Sequence, residues 1–164
     1  MAVVNLHTRE IEATPSEVGA VLDSLSSETD TLWPRESWPP MRFDRALGVG
    51  AAGGHGPIRY RVEAYVPGQW IRFRFTAPRG FDGFHEYTVH PLSDHGAVLR
   101  HLLAMRVHGV ARLTWPLAFR WMHDALIEDS LDHAERTVTA TIHHTARWNI
   151  FVRLLRAVSR RVLA

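Results

Sequence analysis

Ile58-Arg59-Tyr60-Arg61-Val62-Glu63-Ala64-Tyr65-Val66 and, beyond Pro67-Gly68-Gln69, Trp70-Ile71-Arg72-Phe73-Arg74-Phe75 alternate apolar with polar residues. A period of two sends successive side chains to opposite faces of a strand. Ile58, Tyr60, Val62, Ala64 and Val66 therefore share one face, as do Ile71, Phe73 and Phe75, while Arg59, Arg61, Glu63, Tyr65, Arg72 and Arg74 meet water. Pro67-Gly68 is turn chemistry, so the two segments form an antiparallel hairpin. One dry and one wetted face predict a sheet covered on a single side.

Outward from this hairpin the same reading predicts strands at 41–47, 58–66, 70–77, 81–91 and 97–108, the last two joined by Ser93-Asp94-His95-Gly96. Upstream, residues 3–13 read as a strand leading into Thr14-Pro15-Ser16-Glu17, a capping box with proline at the first helical position. Val18, Val21, Leu22 and Leu25 mark the apolar face of the helix that follows, and Ser26-Ser27-Glu28 predicts a second short helix before the proline-rich residues 33–40. Downstream of Gly109 a helical pattern runs to about Arg136, interrupted only by Pro116. At 1.5 Å per residue it is roughly 40 Å long, enough to cross the concave face of the sheet. Residues 137–145 carry no decisive pattern, and 146–163 read as a last amphipathic helix. The expected class is α+β: a curved antiparallel sheet of about six or seven strands around a long C-terminal helix, a helix-grip domain over 3–136, and an extension over 137–164 with an extra basic amphipathic helix.

The chain has 164 residues, 46% hydrophobic and 22% charged, which suits one globular core. With no cysteine there is neither a disulfide framework nor a thiolate metal site. The N-terminal residues lack a basic start followed by a long apolar run, and no stretch approaches membrane-spanning length, so a cytoplasmic protein is expected. All basic residues are arginine, in keeping with the codon usage of a GC-rich genome. Residues 1–145 carry 14 Arg against 17 acids, whereas 146–164 carry 5 Arg and no acid: a basic tail follows an acidic body.

The opening Arg9-Glu10-Ile11-Glu12-Ala13-Thr14-Pro15-Ser16-Glu17-Val18, the hairpin Tyr65-Val66-Pro67-Gly68-Gln69-Trp70-Ile71-Arg72-Phe73 and the closing helix together resemble the START/Bet v 1-like (SRPBCC) superfamily, in its polyketide cyclase/dehydrase-like group, over about residues 3–136. The resemblance implies a hydrophobic ligand held between sheet and helix. In some members it implies enzymes acting on sterols, hormones or aromatic polyketides. It does not account for the tail.

Strand parity identifies the polar groups such a cavity would contain. On 81–91, Phe81, Gly83, His85, Tyr87 and Val89 share a face; on 97–108, Leu99, His101, Leu103, Met105 and Val107 do. His85 and His101 thus point inward, where an imidazole fits a core position as well as a site. With Tyr60 and Tyr87 they supply convergent polar groups for orienting a ligand. Were a reaction catalysed, His85 or His101 would be the acid or base and Tyr60 or Tyr87 would polarise a carbonyl, as in a cyclase or dehydratase. The expected ligand-contacting residues are Tyr60, Val62, Phe73, Phe75, His85, Tyr87, His101, Leu103 and Met105 from the sheet, and Trp115, Phe119, Met122 and Leu126 from the helix.

Other motifs fall short. Gly48-Val49-Gly50-Ala51-Ala52-Gly53 matches GxGxxG, yet a strand rather than a helix follows, so a hairpin loop ending near His55 at the pocket mouth is expected instead of a dinucleotide site. His85-Glu86 lacks the second histidine of HExxH. Asp129 and His133, at i and i+4, can share a metal or simply bond on the helix surface. Neither a metal nor a cofactor is expected. On the last helix Trp148, Phe151, Leu154, Leu155, Val158 and Val162 oppose Arg147, Arg153, Arg156, Arg160 and Arg161. Such a helix can cover its own domain, pair with a second copy, or lie on an anionic membrane through Trp148, Phe151, Leu155, Arg153, Arg156 and Arg160. Nucleic acid is not an expected partner, because the body is acidic and carries no reader motif. The leading expectation is binding of a hydrophobic, ring-containing small molecule. The alternatives are a cyclase- or dehydratase-type enzyme and an interaction or membrane-docking module.

Overall fold

Thr14 begins α1 (Pro15–Asp23) as the capping box requires: its hydroxyl accepts from the Glu17 amide, and the Glu17 carboxylate accepts from the Thr14 amide at 2.8 Å. Two backbone donors without helical partners are satisfied in this way. The structure, a computed structural model, describes residues 1–143 and 145–162, with side chains up to Ser159. His144 and the side chains of Arg160, Arg161 and Val162 lie outside the described residues. The second short helix expected at Ser26–Glu28 does not form. Ser26 adopts a left-handed φ of 64°, and the Asp30 carboxylate accepts from the amides of Ser26, Leu32 and Trp33, so local capping takes the donors a helix would use.

Seven strands make one antiparallel sheet: β1 (Ala2–Ile11), β2 (Arg42–Phe43), β3 (Ala52–His55), β4 (Ile58–Val66), β5 (Trp70–Ala77), β6 (Phe81–Ser93) and β7 (Gly96–Val107). Their spatial order is β1-β7-β6-β5-β4-β3-β2. The strand expected over 41–47 shrinks to two residues. After Phe43 the Asp44 side chain, rather than a strand carbonyl, accepts from the Ala52 amide at 3.0 Å and ends the ladder. The glycine-rich segment leads into β3, and a Cβ on Gly53 would overlap the Arg42 carbonyl, so glycine serves close strand approach here. A register shift between Val62 and Ala64 reverses the parity of β4. Val66, expected inside, is 39% exposed, and Tyr65 turns toward α1, where its hydroxyl donates to Asp23 at 2.9 Å.

α1 and the β4–β5 turn interlock. Asp23 also accepts from the Gly68 amide at 2.8 Å, and a Cβ on Gly19 would strike the Gly68 backbone. The helix crossing the concave face is continuous through α2 (Ala111–Thr114), a π-helical turn (Trp115–Phe119) and α3 (Arg120–Thr139). Pro116 has no amide to donate, and the wide turn around it leaves its carbonyl to accept from Trp121 Nε1 at 3.0 Å. The helix outlasts the expected end near Arg136 by one turn and stops at Ala140, whose φ is 58°. α4 (Ile150–Val162) then returns against α3.

The main core joins Val18, Leu22, Tyr60, Phe73, Tyr87 and Leu131 between sheet and helices. Under α3 the first strand is different: Asn5, His7 and Arg9 face the helix, opposite Asp124, Glu128, Asp132 and Glu135. Among the described residues, no helix is long and apolar enough to cross a membrane.

Candidate functional site

Between the sheet and the long helix lies a cavity of about 790 Å³. Phe75 of β5, His85 and Tyr87 of β6, and His101 and Leu103 of β7 form one wall. Trp115, Phe119, Met122 and Leu126 form the facing one. Of the expected contact residues, Tyr60, Val62, Phe73 and Met105 do not reach the cavity surface. Tyr60, Val62 and Phe73 are covered by their neighbours in the main core, Tyr60 and Phe73 packing their rings on one another and on His85. Met105 sits in a second cluster with Phe81 and Trp115.

His55 of β3, expected at the pocket mouth, is part of the wall. Trp33 and Trp38, from the irregular segment before β2, carried no usable sequence signal. Leu155, Arg156 and Val158 come from α4, so the tail closes part of the cavity. It is held there by Asp129 Oδ2, which accepts from Trp38 Nε1 at 2.7 Å and from Trp148 Nε1 at 2.9 Å. The Arg156 guanidinium lies 4.3 and 3.9 Å from the same two indole rings. Asp129, considered above with His133, is instead the anchor of this clasp. Outside the cavity wall, Phe151 and Leu154 of α4 stay exposed.

Four imidazoles, His55, His85, His101 and His123, are among the polar groups of the cavity wall. His85 Nδ1 and His101 Nε2 are 3.3 Å apart and buried. Desolvation pushes both far below the ordinary histidine range, with further lowering from neighbouring imidazoles, so both are neutral at pH 7. A neutral pair can share one N–H···N bond, which leaves His85 Nε2 and His101 Nδ1 outside it. His101 Nδ1 is buried and has no partner among the described residues. His55, against the Trp33 ring, is driven down to about 3, first by burial. Tyr87 is differently placed: Ser130 Oγ donates to the Leu32 carbonyl, so the Tyr87 hydroxyl, 3.0 Å away, donates to Ser130. Burial raises both Tyr60 and Tyr87. Their phenols are therefore hydrogen-bond donors at neutral pH and not bases.

The imidazole row continues beyond the cavity. His123 lines the wall, 5.1 Å from the His101 ring and 6.0 Å from that of His7 on β1. Helical spacing gave a signal for it, since His123 stands one turn after Phe119. His7 Nδ1 lies 2.6 Å from Glu128 Oε1 and Nε2 3.4 Å from Asp124 Oδ1. Burial alone would depress His7, but the hydrogen bonds and charges of Asp124 and Glu128 outweigh it and lift it to about 9. Beyond, Arg9 reaches Glu128, Asp132 and Glu135 at 3.2, 2.7 and 2.6 Å.

No family model matches the sequence, and no curated protein matches it significantly. Solved structures do match in fold. Norcoclaurine synthase from Thalictrum flavum, in complex with dopamine and hydroxybenzaldehyde, superimposes with a TM-score of 0.65 at 13% identity over 89% of this chain and 90% of that one. CalU16 from Micromonospora echinospora gives 0.58 at 11% identity over 99% and 86%, so that the match extends over the tail. A START superfamily protein from Mycobacterium smegmatis gives 0.56 at 10% identity over 84% and 97%. At such identities the likeness carries architecture alone, and by that architecture the chain has the helix-grip fold that these structures share.

Proposed function

We propose that the protein binds a hydrophobic, ring-containing small molecule in the cavity between sheet and long helix. The observation that carries this reading is the 790 Å³ cavity itself, walled by Trp33, Trp38, Phe75, Trp115 and Phe119 with His85 and His101 as polar groups. Its size and its apolar lining with a few convergent polar atoms are those of small-molecule sites. Dopamine and hydroxybenzaldehyde, the ring compounds held by the structurally similar norcoclaurine synthase, are of a size such a cavity accommodates.

Native mass spectrometry of the purified protein, with titration of an anilinonaphthalene dye, tests the reading. A copurified or titrated aromatic molecule should bind one to one. Met122→Trp, which fills the cavity from the helix side, should weaken dye binding at least about tenfold, a loss of roughly 1.4 kcal/mol. Binding that Met122→Trp leaves unchanged would place the ligand elsewhere and overturn the proposal.

A second reading is favoured by the His85–His101 pair: an enzyme of the cyclase or dehydratase type, in which a neutral imidazole takes a proton from an enolisable carbonyl compound. Tyr60, off the cavity surface, and Tyr87, engaged with Ser130, leave the imidazoles as its acid–base groups. Turnover of a candidate substrate that survives both His85→Ala and His101→Ala would remove this reading.

A further inference from the structure

The inward face of β1 and one face of α3 bring two imidazoles and a carboxylate together at the edge of the cavity. His7 Nε2 and His123 Nδ1 approach the same oxygen, Asp124 Oδ1, at 3.4 and 3.5 Å. All three ligand atoms lie within 4.8 Å of one another. A tetrahedral ion with metal–ligand bonds of ~2.1 Å holds adjacent ligand atoms about 3.4 Å apart, so the two measured separations are already those of a coordination sphere.

We propose that His7, His123 and Asp124 bind a divalent first-row transition metal ion of the Zn²⁺ type, oriented by Glu128. Two imidazoles and a carboxylate are the donor set such ions take. Three further observations support the assignment. His7 Nδ1 is bonded to Glu128 Oε1 at 2.6 Å, which leaves Nε2 as the nitrogen facing Asp124; a carboxylate behind a ligating histidine fixes both its tautomer and its direction. Glu128 is held in turn by Arg9, 3.2 Å from Oε2, and the second Asp124 oxygen faces Arg120 at 3.7 Å. Finally, His123 Nδ1 is buried and has no close hydrogen bond, its approach to Asp124 Oδ1 being 3.5 Å, and the buried Asn5 Oδ1 has no hydrogen-bond partner among the described residues while its own Nδ2 donates to Asp124 Oδ1 at 2.9 Å. At 3.5 Å the imidazole nitrogen and the carboxylate oxygen make a long hydrogen bond at best, and the same spacing lets both turn a lone pair to one cation. Because His123 also lines the cavity, an ion here borders the ligand space without depending on what fills it.

Calorimetric titration of the metal-stripped full chain with ZnCl₂ and with CoCl₂ tests the proposal. One equivalent should bind with micromolar or tighter affinity, and Co²⁺ should acquire visible ligand-field absorption. His7→Ala, His123→Ala and Asp124→Asn should each abolish the saturable site. Glu128→Gln, which keeps all three ligands, should weaken it about 10- to 100-fold, the usual cost of losing a partner behind a ligand. His90→Ala, on an exposed histidine of β6 outside the cluster, should change nothing. Circular dichroism checks that each variant is folded, and if a ligand variant does not fold, Glu128→Gln decides. Absence of saturable binding to the native chain, or binding that persists undiminished in the folded variants, would overturn the site and leave the cluster as an ion-pair network.

Discussion

His55 and His85 are neutral because they are buried, and this sets how stability follows pH. Burial holds His55 down at about 3 and His85 well below its ordinary value, whereas in the unfolded chain both protonate near 6.5. Below 6.5 the unfolded state therefore binds more protons than the folded one. Stability is full above that value and falls as pH falls, by about 1.4 kcal/mol per pH unit for each such histidine. Urea unfolding at pH 6.5, 5.8 and 5.0 should show this slope, and His55→Phe should flatten it by about one proton's worth; an unchanged slope would mean that His55 is solvated. Arg9 poses the opposite problem, because it neutralises Glu128, Asp132 and Glu135 in a partly dry seam. Arg9→Met should cost on the order of 3–5 kcal/mol, since carboxylates left without a counter-charge are the expensive outcome of breaking a buried pair. Part of that loss should be recovered at pH 4, where the acids can protonate. Chemical denaturation at pH 7 and pH 4 checks both statements.

The elements divide into those that local chemistry dictates and those that neighbours reshape. Capping box, β4–β5 turn and β6–β7 turn form where turn and cap residues stand, because each is satisfied within a few residues. The exceptions each answer to a contact from elsewhere in the chain. Asp44 truncates β2 by bonding Ala52, and a bulge after Val62 sends Tyr65 to Asp23. Between α3 and α4 the clasp of Asp129, Trp38, Trp148 and Arg156 carries the docking of the tail. Trp148→Ala removes one donor and one face of the cation–π sandwich. Amide exchange over residues 150–159 should accelerate at least tenfold, a loss of roughly 1.4 kcal/mol of local stability. The β6 and β7 amides should keep their protection. Equal acceleration throughout would mean that the clasp supports the whole fold and not the tail alone.

At the scale of the molecule, a curved sheet closed at one side by a long helix leaves a volume that neither covers fully, and α4 with the segment 33–39 covers the remainder. Removing residues 146–164 takes away Leu155, Arg156 and Val158 from the wall and uncovers Trp38, which is 5% exposed in the intact chain. The truncated protein should keep the far-ultraviolet spectrum of the sheet, and its tryptophan emission should become more accessible to acrylamide. An anilinonaphthalene dye should dissociate from it faster. An unchanged quenching constant would show that α4 does not shield the cavity in solution.

By itself the sequence determined the hairpin periodicity, the capping box, the long helix and the inward parity of His85 and His101, all encoded in residues a few positions apart. The tertiary structure alone decided the rest. That β1 closes the sheet against β7, that His7 meets Asp124 across 117 positions, and that Trp38, Asp129 and Trp148 join in one clasp are facts of distant segments. Periodicity reports which face of an element is buried, through the geometry of its own backbone. It is silent on what that face meets, because the choice of partner is made by packing, charge neutralisation and desolvation over the assembled chain.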